Sequence, residues 1–164
     1  MKAILQISVV LSWFNLVVSG FLVLSSLLLS AMAADTLSLL TLVMLIGAIL
    51  LHSYAALQLR KSILNPQIPL GRQTPVGIRF IGFVSLFCGL MIIGNAAYMI
   101  QHGKELVQQV KLPVQSPNLD VSKILRGSAI FTLIFGLSVA LNTIINFRLL
   151  RWYLLPSNQD NAGT

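Results

Sequence analysis

Charged side chains are what this chain has least of. Its 164 residues include 11 Lys and Arg and 4 Asp and Glu, 9% of the total, where a water-facing exterior takes about a quarter of the chain as charge. A water-soluble domain is thereby excluded. Cysteine is nearly absent as well. Cys88 stands alone inside an apolar run, so neither an intrachain disulfide nor a cysteine metal cluster can form. Of the two histidines, His52 falls near one end of its apolar run and His102 near the opposite membrane boundary. At the helical rise about 20 Å of depth separates them, too much for two axial ligands of one haem. With a single cysteine and no carboxylate at membrane depth they make no zinc site either. No Gly-rich phosphate loop, Gly-x-Ser-x-Gly elbow or His-Glu-x-x-His pair is present. The chain is therefore expected to be a non-enzyme, with no catalytic, cofactor-binding or metal-binding residues.

What the sequence has instead is uninterrupted apolar length. Four stretches carry no Asp, Glu, Lys or Arg: residues 3–34, 36–59, 80–103 and 127–147. Each meets the ~20 residues a helix needs to cross a ~30 Å hydrocarbon core. The runs lack the polar stripe of a surface helix, and a helix apolar all round must be buried in protein or in lipid. A chain of this size has no protein mass to bury four of them. The expected fold is an all-α integral membrane protein, a four-transmembrane-helix antiparallel bundle with both termini cytoplasmic. The helices are placed at about 4–30, 36–60, 79–102 and 125–152 in one domain, 1–156, followed by a short disordered polar tail, 157–164.

The orientation comes from the placement of the basic residues. The segment between the second and third runs holds Arg60, Lys61, Arg72 and Arg79 and no acid, so it is assigned to the cytoplasm. With an even number of spans, Lys2, Arg148 and Arg151 join that side. The opposite side receives Asp35, Lys104, Glu105, Lys111, Asp120, Lys123 and Arg126. The net +7 thus divides unequally, and most of it lies inside. Because these cations sit at the ends of apolar runs, they suit anionic headgroups, and nucleic acid is not expected as a partner. Lys2, an apolar run and Ala31-Met32-Ala33 imitate a signal peptide. The run is about twice the usual length of such a segment, so it is read as a retained first helix; cleavage would leave three spans with the other helices unchanged in orientation.

The connections differ in character. Pro66, Pro69, Gly71 and Pro75 within 62–76 point to an extended, turn-rich strap. Beyond the third run, Leu106, Val107 and Val110 share one helical side, so 104–112 either lies in the interface or extends the helix. Pro113 and Pro117 stop it, and Asn118 or Asp120 offers a cap for the fourth helix. Arg148, Arg151, Trp152 and Tyr153 read as interfacial anchors.

Helices in lipid gain little from hydrophobicity against one another, so small residues and polar side chains make their contacts. Ser8, Ser12, Asn15, Ser19 and Ser26 lie on one face of the first helix. The third offers a small row, Gly82, Ser85, Gly89 and Ala96, and a more polar one, Cys88, Met91, Asn95, Tyr98 and His102. On the fourth, Ser128, Thr132, Gly136 and Ala140 recur at steps of four, with Asn142 and Asn146 beyond. These faces are expected to meet around an intramembrane polar seam of Asn15, His52, Asn95, Asn142 and Asn146. Either the amides tie the bundle together, or they line a water-filled pocket for a small polar solute or lipid headgroup.

The function expected from this pattern is a non-enzymatic accessory, assembly or scaffold component of the plasma membrane (cell inner membrane). It would act through helix–helix and lipid contacts, with a membrane-protein partner or further copies of itself. The alternative is a small oligomeric channel or transporter for a small polar solute or lipid. A third reading is a sensor whose basic loop binds anionic lipid.

Overall fold

The computed structural model describes residues 2–33, 36–65, 67, 70–71, 73–109 and 121–160. They form four helices: α1 (Lys2–Ala33), α2 (Thr36–Leu64), α3 (Thr74–Gln109) and α4 (Val121–Asp160). Each is long and apolar enough to cross a bilayer. Consecutive helices run antiparallel. α3 packs most extensively against α4, and α1 against α2. α2 and α4 also touch across the bundle, whereas α1 and α3 do not meet among the described residues. The cross-section is therefore a rhombus with α2 and α4 on its short diagonal.

Helix ends differ from the sequence-based placement for local reasons. α3 begins at Thr74 rather than near 79, because Pro75 falls in the first turn, where its missing N–H has no intrahelical acceptor to serve. The strap is correspondingly shorter. At the other end α3 continues to Gln109, but His102 leaves helical geometry (φ −107°, ψ 17°), so the expected boundary at 102 is a break within a longer element. The His102 ring stacks on Tyr98 with centroids 4.4 Å apart. α4 runs through Pro156 to Asp160, where the polar tail was expected to begin at 157. Residues 161–164, Arg72 and the expected caps at Asn118 and Asp120 lie outside the described residues.

The interior is inverted relative to a soluble bundle. Buried side chains include Ser8, Ser12, Asn15, Ser19, His52, Ser53, Ser85, Ser138, Asn142, Thr143 and Asn146, while Trp13, Phe21, Phe80, Phe83, Phe87 and Phe131 face outward. Such a distribution is favourable where the surroundings are as apolar as Leu. Two apolar clusters bracket the polar groups. Leu5, Leu59, Ile78, Leu149 and Leu150 close the end that carries the α2–α3 connection. Ile49, Cys88, Phe135 and Val139 pack toward the other half with Phe14, Val18 and Leu22.

The α3–α4 crossing is a backbone contact. A Cβ built on Gly136 would lie 3.1 Å from the Gly89 carbonyl oxygen, and one on Gly89 would lie 3.3 Å from that of Gly136. Glycine at both positions lets the two backbones approach this closely without displacing a neighbour. Ala140 is buried beside the crossing. Thr132 is half-buried and donates to its own helix, at the Ser128 carbonyl (2.8 Å).

Candidate functional site

Among the polar residues singled out from sequence, the structure joins those of α1 and α4. Ser8 Oγ donates to Asn146 Oδ1 (3.0 Å), Ser12 Oγ to Asn142 Oδ1 (3.1 Å) and Ser138 Oγ to Asn15 Oδ1 (2.8 Å). These are three rungs of an antiparallel ladder, one helical turn apart, because side chains three and four residues apart share a helix face. The Asn146 amide adds bonds to the Asn142 carbonyl (2.7 Å) and Asn142 Oδ1 (3.0 Å), locking one asparagine against the next. At ~0.6 kcal/mol for an average cross-helix bond in lipid, three rungs contribute roughly 2 kcal/mol. They fix register as well: a slip of one residue would break all three.

Ser138 was not singled out from sequence. The signal was present, since a register pairing 8 with 146 and 12 with 142 places 138 beside Asn15. Other buried hydroxyls turn back on their own helices. Ser19 donates to the Asn15 carbonyl, Ser53 to that of Ile49 and Thr143 to that of Val139. Ser85, expected in the small row, instead bridges helices, donating to the Ala48 carbonyl of α2 at 3.0 Å.

The rest of the expected seam is dispersed. His52 is 1% exposed, yet neither ring nitrogen has a hydrogen-bond partner among the described residues. Its ring meets Phe147 edge-on, with centroids 6.4 Å apart, and both pack over Gly82. Asn15 and Asn142 each keep a buried, unpartnered amide N–H. Asn95 leaves the seam altogether: it is exposed on the wall of a lateral cleft. This cleft, about 1200 Å³, opens between α2 and the α3–α4 pair and is lined mainly by apolar groups such as Leu45, Ile49, Phe87, Met91 and Phe135. The geometry explains why Asn95 is excluded. Only one row of α3 can meet α4, and Gly82, Gly89 and Ala96 take that position, turning Met91, Asn95 and Tyr98 outward.

No known protein family, curated protein or solved structure matches this chain. The function must be read from the arrangement itself. Among the described residues no three His, Cys, Asp or Glu side chains gather where a metal ion would sit. Several of the described basic residues ring the bundle end that carries the α2–α3 connection. Lys61, Arg79, Arg148 and Arg151 are exposed, and Arg148 lies over the Trp152 ring, 5.1 Å from guanidinium carbon to centroid. Arg60 is half-buried, with its Nε enclosed and without a partner.

Proposed function

We propose that this chain is a multi-pass protein of the plasma membrane (cell inner membrane), an accessory or assembly component that acts through contacts in the bilayer rather than by chemistry. One observation carries the reading. The interior hydroxyls are spent within the bundle, on asparagines across the α1–α4 ladder and on backbone carbonyls, so the face offered to the surroundings is apolar: the outward phenylalanines and the lateral cleft. Such a surface suits lipid tails and partner helices, which associate by close packing. Both termini and the α2–α3 connection face the cytoplasm in this reading, because that end collects the excess of Lys and Arg.

The test is cross-linking in intact membranes, extraction in mild detergent and identification of what co-purifies. A stoichiometric membrane-protein partner, or a defined assembly of several copies, is expected. A clean monomer that cross-links to nothing would end the proposal. A second reading, a channel or transporter completed in an oligomer, is favoured by the unpartnered N–H groups of Asn15 and Asn142, which a polar solute would satisfy. Solute flux in vesicles that Asn142→Leu abolishes would replace the first reading with the second.

A further inference from the structure

A second concavity lies at the basic end of the bundle. Tyr54, Gln58 and Ser62 of α2, Leu70 and Gly71 of the connection, and Thr74 of α3 enclose about 320 Å³. Its far wall is held in place by α4: the Tyr153 hydroxyl accepts the Leu70 N–H at 3.1 Å. The backbone closes on itself there as well, with the Thr74 N–H donating to the Gly71 carbonyl at 2.9 Å. The groove is thus preformed rather than a gap beneath a free loop.

Its lining is rich in donors. Ser62 is 5% exposed and borders the groove. Thr74 Oγ1 faces Gly71 so closely that a Cβ at 71 would lie 3.2 Å from it. Deeper along α2, Gln58 donates one amide hydrogen to the Tyr54 hydroxyl at 2.9 Å, which leaves the tyrosine proton free to donate. Lys61 is exposed three residues from Gln58, on the same side of the helix. Neither α2, nor the connection, nor α3 as far as Gly103 contains an Asp or Glu, so no carboxylate from these elements opposes an anion.

We propose that this groove binds the headgroup of an anionic phospholipid. The phosphate sits at the Ser62, Gly71 and Thr74 end beside the Lys61 ammonium, and the ester carbonyls reach the Tyr54 and Gln58 donors. A free phosphate would need only the first set. Eight residues separate Ser62 from Tyr54, about 12 Å along the helix, and Leu51, 53% exposed, continues the same side toward the hydrocarbon. Donors at two depths followed by an apolar track match a glycerophospholipid rather than an inorganic ion. The inference rests on the reading that α2 crosses the bilayer with this end at the headgroups.

The full chain, stripped of lipid in mild detergent, is titrated with phosphatidylglycerol or phosphatidylcholine and followed by native mass spectrometry. Phosphatidylglycerol is expected to bind about tenfold more tightly, and the double variant Ser62→Ala/Thr74→Val to lose about tenfold of that affinity, the effect of removing a hydrogen bond to a charged group. Lys61→Gln, at an exposed position where packing is not disturbed, should reduce the preference, whereas Lys104→Gln, an equal change of charge at the other end, should leave it intact. Equal binding of the two lipids, an unaltered Lys61→Gln variant, or complete displacement by millimolar inorganic phosphate overturns the proposal. Resistance to alkaline extraction from membranes reads insertion separately, so a failed headgroup site is distinguishable from a failed membrane assignment.

Discussion

Gly82 is the position where one added carbon has the most to displace. A Cβ there would lie 2.6 and 2.9 Å from Cε1 and Cζ of Phe147 and 3.0 Å from Cε1 of His52, against the 3.5–4.0 Å of ordinary carbon contact. The phenyl ring has little room to yield, since the His52 ring packs against it. Overpacking of this kind costs about 1–3 kcal/mol, while replacing a mid-helix glycine by alanine returns about 1 kcal/mol of helix propensity. Gly82→Ala should therefore destabilise the bundle by roughly 0–2 kcal/mol. Gly94→Ala, on the same helix with nothing within 4 Å of the new carbon, should be neutral or stabilising by up to about 1 kcal/mol. Phe147→Leu removes the offending ring atoms, so in that background Gly82→Ala should lose its penalty and the two substitutions should couple by about 1–3 kcal/mol. Reversible unfolding in mixed micelles, driven by added dodecyl sulfate and followed by far-ultraviolet circular dichroism, measures all four corners of the cycle. Strict additivity, or a Gly82→Ala protein as stable as Gly94→Ala, would refute the packing argument.

Three further outcomes are expected. In a double-mutant cycle on Asn15→Leu and Ser138→Ala, the pair should couple by about 0.6 kcal/mol and by no more than ~1.7; zero coupling would remove that rung from the ladder. His52→Leu deletes two unpartnered buried nitrogens and should leave stability unchanged or raised, because an unsatisfied polar atom contributes only its desolvation cost; a loss above about 2 kcal/mol would mean that the ring is bonded in the membrane. Thiols introduced at Gln67 and Glu105 in a Cys88→Ser background report orientation in intact cells. An impermeant reagent should modify position 105 and spare 67, and the opposite pattern would invert the assigned topology.

The four long apolar helices were legible because a charged group in hydrocarbon is expensive, so the absence of Asp, Glu, Lys and Arg directly marks segments able to span. Their ends were less so. Proline reads as a stop, yet Pro75 is accommodated in the first turn of α3, and His102 interrupts a helix that then resumes. The inward faces of α1 and α4 followed from spacing, since Ser8, Ser12 and Asn15 can share only one side of a helix, as can Asn142 and Asn146. α3 was ambiguous because it carries two such rows, and the choice is made by the partner. The glycine pair at 89 and 136 brings the backbones together, and this sends Asn95 to the cleft. The groove near Tyr54 was hidden for the same kind of reason. It depends on the Leu70 N–H meeting a tyrosine 83 residues away, a contact that no local pattern announces.

All three serine–asparagine rungs of α1 reach α4, which leaves the ribosome after α1, α2 and α3. At elongation rates of about 5–20 residues per second, Ser8, Ser12 and Asn15 wait for several seconds before their partners are synthesised. During that interval the amino-terminal helix presents hydrophilic groups to hydrocarbon, and a chain truncated before residue 121 would do so permanently. Such a fragment leaves a row of hydroxyls and an amide without their partners on α4. Synthesis of α4 supplies them.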